Sequence, residues 1–314
     1  MYTPVPVVDF MIKQTDRLLQ RNFRKRLQDE GIQILDPFSG TGTFVTRLLD
    51  RDLGVIDDEH VKEKYEKEIW SNEIMPTAYY ISTLNIEDTM NQRVKEALPF
   101  PGGVLTDTFR ISEAKGMLDA SLFSGNSNRE NKEEEEKIWA IISNPPYSAN
   151  QGNANENNRH ARYEVLDDRI ASTYKALVNK TNHQANDSYV RAFRWASDRL
   201  NGKGIVSFIT NGGWLRSNTG EGIRRSFAKE FNDIYVYDLR GLRSDRGGTK
   251  EEGGNIFGIG TSVAITFLVK NPESDHKGQI HYISTPDFAS ANKKLRLLEE
   301  AVELEPEWES LQMD

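Results

Sequence analysis

A doubly wound α/β fold is what the sequence predicts, with a mostly parallel seven-stranded sheet and one antiparallel edge strand. Three observations carry it. Short apolar segments alternate with amphipathic ones over most of the 314 residues, the rhythm of repeated βαβ units. Most of the apolar segments are continuous rather than alternating in polarity, as strands covered on both faces require. The first three strands close on glycine-rich or acidic residues, and ligands of such sheets sit outside the carboxyl ends of the strands.

The expected strands are 32–38 (IQILDPF), 69–74 (IWSNEI), 103–107 (GVLTD), 138–143 (IWAIIS), 204–210 (GIVSFIT), 233–239 (DIYVYDL) and 261–269 (TSVAITFLV). Amphipathic spacing predicts helices over 9–28, 43–51, 76–91, 163–179, 187–200 and 219–230. No internal repeat is present. Two stretches break the rhythm. Residues 124–137 (SGNSNRENKEEEEK) are polar and end in an acidic run, so a solvated surface loop is expected there. Residues 149–162 hold five Asn in the nine positions 150–158, which disfavours regular structure and points to a mobile loop.

Composition excludes several chemistries. With no cysteine, disulfides, thiolate metal sites and cysteine nucleophiles are absent. The histidines at 60, 160, 183, 276 and 281 are scattered in sequence, so no metal is expected. No apolar run approaches the roughly 18 residues of a membrane span, and MYTPVPVVDF is not a signal peptide, so a cytoplasmic protein without a membrane partner is expected. The net charge of −8, from 40 Lys+Arg against 48 Asp+Glu, argues at first against nucleic acid. Residues 191–250, however, hold 12 Lys+Arg and 6 Asp+Glu, a local +6 that leaves −14 on the other 254. A distributed charge, not a total, describes the partner.

Asp36-Pro37-Phe38-Ser39-Gly40-Thr41-Gly42 closes the first strand and opens a helix. Two glycines around a small polar residue allow a tight turn and close approach of backbone to a ligand, and a helix start offers free N–H groups. Taken alone, G-x-G also fits an ordinary βα turn. No Walker A sequence occurs. Glu73 ends the second strand, where an acidic residue can accept from ribose hydroxyls. Its spacing of 37 residues from Asp36 is long, and the charged stretch 57–68 reads as an insertion. By itself Glu73 reads first as a surface carboxylate, and so does Asp107 at the end of the third strand; the succession of three such strand ends favours a ligand.

Asn144-Pro145-Pro146-Tyr147 follows the strand IWAIIS. Two prolines fix the backbone and remove N–H donors. The Asn144 side-chain oxygen and the Pro145 carbonyl can then accept both hydrogens of a planar amino group, while the Tyr147 ring stacks on the plane that carries it. On helix 187–200, Tyr189, Phe193 and Trp195 read as core. Arg191 and Arg194 read equally as solvated or as phosphate contacts.

DPFSGTG followed by NPPY on this rhythm resembles the S-adenosylmethionine-dependent amino-group DNA methyltransferases. TPVPVVDF (3–10) is similar to the cofactor motif that precedes the glycine loop in their gamma arrangement. NDSYVRAFRWASDRL (186–200), GIVSFITNGGWL (204–215) and NIFGIGTSVAITFLV (255–269) resemble their later motifs. The segments after NPPYS and around RSDRGGTKEEGGNIFGIGTSVAI most resemble the methyltransferase part of type ISP restriction–modification polypeptides. The resemblance covers roughly residues 2–270 and implies a Rossmann-like sheet.

It also implies roles. Thr3, Pro4, Asp36, Pro37, Gly40, Thr41 and Gly42 would hold the methionine part of the cofactor. Glu73 would take the ribose hydroxyls and Asp107 the cofactor's adenine amino group, with Phe109 as a further contact. Asn144, Pro145, Pro146 and Tyr147 would hold a target adenine flipped out of DNA, with Phe257 on the other face of that base. The implied reaction is methyl transfer to adenine N6, driven by positioning and electrostatics. Cytosine-C5 methylation needs a cysteine and is excluded. Cytosine N4, an RNA base or a protein glutamine remain alternative acceptors, and a non-catalytic DNA-binding module keeping the fold is a further one.

The methyltransferase domain is expected over 1–270, with 271–314 as an acidic C-terminal extension too short for a target-recognition domain. A recognition domain, and nuclease and ATPase domains of the type ISP kind, are expected as partners outside this chain, with weak sequence selectivity in their absence.

Overall fold

The structure, a computed structural model, describes residues 2–110, 124–147, 163–177, 187–200 and 202–311. The expected loop 149–162 lies outside the described residues. All seven expected strands form: β1 (Gln33–Asp36), β2 (Ile69–Glu73), β3 (Gly103–Leu105), β4 (Ile138–Ser143), β5 (Gly204–Asn211), β6 (Asp233–Arg240) and β7 (Val263–Lys270). Two more follow, β8 (Gln279–Ser284) and β9 (Glu309–Leu311), so the described residues build one nine-stranded sheet. Its order is β3-β2-β1-β4-β5-β7-β6-β8-β9. Strands β1 to β5 are mutually parallel, with Ile34 opposite Ile69 and Ile141 opposite Val206.

The antiparallel strand is not at an edge. β7 runs antiparallel between β5 and β6, pairing Phe267 with Ser207 on one side and Tyr235 on the other. Its first seven residues are buried, which an edge position would not allow. The half-exposed β8 pairs parallel to β6 and carries the short antiparallel β9 at the actual edge.

Helices cover both faces. On one lie α1 (Val5–Phe23), α2 (Thr43–Leu48), α3 (Val61–Lys67) and α4 (Pro76–Val94), where Phe10, Met11, Leu18 and Leu48 share a core with Ile265 and Phe267. On the other lie α6 (Glu164–Thr173), α7 (Ser188–Arg199) and α9 (Glu221–Glu230), where Phe193, Trp195 and Phe227 meet Val206 and Phe208. α1 begins earlier than expected because Pro6 stands in its first turn, where no backbone donor is needed. It stops at Arg24, whose φ of 55° is left-handed. Between β5 and α9 lies the one-turn α8 (Gly213–Arg216).

The expected loop 124–137 is a helix, α5 (Ser124–Glu135). Periodicity missed it because polar contacts, not an apolar stripe, hold it. The Asn126 side chain bonds both the N–H and the carbonyl of Leu105, and Arg129 Nε donates to Gly103 O at 2.7 Å. Glu133 is fully buried and accepts from Asn72 (3.3 Å) and Arg199 (3.2 Å).

The boundary expected at 270 does not interrupt the sheet. Beyond β8, helix α10 (Ala291–Glu303) packs on α1, and Arg17 donates to Ala301 O and Val302 O. Among the described residues no helix is long and apolar enough to cross a membrane.

Candidate active site

The sheet order reverses between β1 and β4, and the chain ends of these strands meet there. Asp36 closes β1 and is 3% exposed. Its Oδ1 accepts from Ser143 Oγ, the last residue of β4, at 2.6 Å, and from Phe38 N at 3.3 Å. Its Oδ2 is buried and has no hydrogen-bond partner among the described residues. Burial pushes this carboxyl up to about 7, against the opposing effect of the Ser143 bond.

The turn into α2 needs its glycines. Gly40 and Gly42 have φ of 57° and 83°, and a Cβ on Gly42 would stand 2.7 Å from Ser82 Oγ. The turn is tied to its neighbours: Ser39 N donates to Asn72 O (2.9 Å), and Asn85 Nδ2 to Thr41 O (2.9 Å). Glu73 reaches across from β2. Its Oε2 accepts from Gly40 N and its Oε1 from Met75 N, both at 2.8 Å.

Past β3, Asp107 Oδ2 accepts from Tyr163 Oη at 2.9 Å. Thr108 Oγ1 donates to Pro37 O at 2.6 Å, which joins this strand end to the glycine turn. Phe109 packs between Phe38 and Tyr163, with ring centroids 5.4 Å away on each side. Tyr163 and Ser143 were missed in sequence. A lone Tyr 56 residues from its partner and a Ser inside an apolar strand carry no pattern.

Beyond β4, Asn144 Nδ2 donates to Thr3 Oγ1 at 2.9 Å, while its Oδ1 is buried without a partner among the described residues. Pro4 follows as the cap of α1, its carbonyl accepting from Val7 N and Val8 N. Pro145 is buried and Pro146 exposed. Tyr147 Oη donates to Ile209 O at 3.1 Å, and burial raises its hydroxyl pKa well above the ordinary value.

Phe257 does approach this strand end, yet not as expected. Its ring meets Tyr147 directly, centroids 6.1 Å apart at 69°. Two inclined rings in contact leave no parallel slot for a base between them, so Phe257 supports Tyr147 from the side. Tyr189, Phe193 and Trp195 are buried as expected. Arg191 and Arg194 are buried as well, against both readings of the sequence. Arg191 forms a bidentate pair with Asp167, and Arg194 bridges Asp198 and Glu230. His276 and His281, scattered in sequence, both meet Asp233 Oδ1, at 3.1 and 2.8 Å. Among the described residues no group of three or more acidic or histidine side chains is placed to hold a metal. His160 and His183 lie outside the described residues.

The strand ends thus present a buried carboxyl oxygen and a buried carboxamide oxygen, both without partners among the described residues, beside a glycine turn. The profile of the Eco57I restriction-modification methylase family matches residues 49–243, more than half of the chain. The chain belongs to this family. Among solved structures the methylase is similar to the ATP-dependent Type ISP restriction-modification enzyme LlaBIII bound to DNA, at 36% identity and a TM-score of 0.92, over 100% of this chain and 22% of that one. It is similar to a nuclease-deletion mutant of the Type ISP enzyme LlaGI in complex with a DNA substrate mimic: 39% identity, TM-score 0.92, 100% and 26% coverage. The DrdV–DNA complex matches at 38% identity and a TM-score of 0.90, over 100% of this chain and 30% of that one. The methylase therefore spans about a quarter of the length of these proteins. No curated protein sequence matches it significantly.

Proposed function

We propose that this chain transfers a methyl group from S-adenosylmethionine to N6 of an adenine extruded from DNA, as the modification part of a larger restriction–modification enzyme. The observation that carries the reading is the buried Oδ1 of Asn144 at the end of β4, which has no partner among the described residues. A buried polar atom without a partner is costly and rare, and a ligand N–H removes the cost.

The residues fit the cofactor. Asp36 offers a buried carboxyl oxygen suited to an ammonium group, and the positive-φ Gly40 and Gly42 leave the turn without side chains. The Glu73 carboxylate, already oriented by two backbone N–H groups, retains lone pairs for ribose hydroxyls. Asp107 and Phe109 supply an acceptor and a ring face for the cofactor's adenine. Thr3, Pro4, Pro37 and Thr41 frame the methionine end. When bound, the cofactor supplies an electrophilic methyl on a sulfonium.

The rest falls to Asn144 and its neighbours. The amino nitrogen of adenine is a weak nucleophile because its lone pair is delocalised into the ring. Asn144 Oδ1 and Pro145 O accept its two hydrogens, localise the lone pair and fix its direction. Thr3 orients the carboxamide by accepting from Nδ2, so Oδ1 is left for the substrate. Tyr147, held by Ile209 O and flanked by Phe257, offers a ring face that offsets the few kcal/mol of extrusion.

Incubation with methyl-labelled cofactor and DNA, RNA or protein tests the reading. Label is expected in DNA as N6-methyladenine. Label confined to protein or RNA, or recovered as N4-methylcytosine, would refute it.

A further inference from the structure

Residues 241–262 link β6 to β7 and carry Phe257 to Tyr147. The base of this loop is held by a residue remote from the pocket. Lys294, on α10, is fully buried. Its Nζ donates to Leu239 O in β6 at 2.7 Å and to Glu252 O in the loop at 2.8 Å. Both partners are carbonyls, and burial lowers this amine to about 8. A buried ammonium costs stability that an apolar side chain of the same length would not, so packing alone does not account for lysine here.

The same turn is closed from other sides. Glu252 accepts from Arg216 Nη1 (3.1 Å) and Leu242 N (3.3 Å), and Gly254 N donates to Ala289 O (2.9 Å). Three residues past Glu252, Asn255 spans the loop. Its Nδ2 donates to Gly241 O and Thr261 O, and its Oδ1 accepts from Phe257 N at 2.9 Å. Lys294 thus anchors the loop at Glu252, and Asn255, on the same short turn of chain, anchors Phe257, whose ring meets Tyr147.

We propose that Lys294 is a positioning residue of the target-base pocket, fixing the loop that holds Phe257 against Tyr147. The proposal rests on the reading of Asn144–Tyr147 as the base-binding strand end. It makes helix α10, from the segment after residue 270, part of the pocket's support.

The test compares Lys294→Met with Leu298→Ala, a buried residue of the same helix whose apolar side chain can make no hydrogen bond to the loop. Amide hydrogen exchange across 241–262 is expected to quicken about tenfold in Lys294→Met and not in Leu298→Ala, with β1 and β4 unchanged in both. Cofactor affinity should stay within about twofold, while kcat/KM for methyl transfer to mixed-sequence DNA falls about tenfold or more. Should Lys294→Met fail to fold, Lys294→Gln, which keeps an N–H pair, takes its place in the comparison. Loop exchange equal to wild type, or equal in Lys294 and Leu298 variants, overturns the proposal. A wild-type chain that methylates no DNA, with loop exchange altered as expected, refutes the functional reading and leaves the role of Lys294 in holding the loop standing.

Discussion

Asp36 is a carboxyl placed where its charge is disfavoured, with one oxygen that has no partner among the described residues. Its pKa rises from 3.8 unfolded to about 7 folded, so the folded state binds more protons across that window. Stability is therefore lost as pH rises from roughly 4 to 7 and is nearly level above that, a cost on the order of 4 kcal/mol at pH 8. Asp36→Asn is expected to raise the melting temperature at pH 8 and to leave it nearly unchanged at pH 4, read by calorimetry. If Asp36 receives the cofactor's ammonium, wild-type affinity strengthens as pH passes 7 and the variant's does not. A lower melting temperature for the variant at pH 8 would refute the assigned cost. At Asn144 the expectation separates binding from chemistry. Asn144→Ala should cut kcat by about a hundredfold or more while cofactor affinity, titrated calorimetrically, changes little. Equal losses in both would place Asn144 in the cofactor site instead.

At the scale of elements, what the sequence showed depended on how each element is held. The seven expected strands were legible because each buries an apolar run, and their ends carried Asp36, Glu73, Asp107 and Asn144 to one edge. α5 was not legible, since its contacts are Asn126, Arg129 and Glu133 meeting backbone and polar groups of other elements. A polar face that pairs with a partner has the same composition as one facing water. Glu133→Ala is accordingly expected to destabilise the chain by about 2 kcal/mol, because Arg199 loses a buried acceptor. Denaturant melts measure the loss, and faster exchange confined to 124–135 would locate it. No change in either would return α5 to the status of a solvated segment. Arg191 follows the same logic, with its partner Asp167 24 residues away, and so does the Arg194–Glu230 pair across 36 residues, while the i,i+4 pair of Arg194 with Asp198 is local to the helix.

Across the whole molecule, the segment after 270 is structural. β8 extends the sheet from β6, α10 covers α1 through Leu298 and Ala301, and Arg17 and Arg21 bond α10 and Glu305. Removing residues 271–314 exposes the apolar face of α1 and frees the loop 241–262 from Lys294. Cooperative thermal unfolding is expected to be lost, and a sharp transition near that of the full chain would refute this. The sequence by itself determined the α/β rhythm, the first seven strands and the order of the motifs, because burial periodicity and turn chemistry are local. It also determined that no cysteine chemistry operates. Only the tertiary structure decided that β7 enters the sheet between β5 and β6, that Phe257 flanks Tyr147, and that Ser143, Tyr163 and Lys294 serve the same edge. These depend on pairings between residues far apart in sequence, such as Ser143 with Asp36 across 107 residues and Tyr163 with Asp107 across 56. Which distant polar groups meet is set by packing, and no local pattern encodes it.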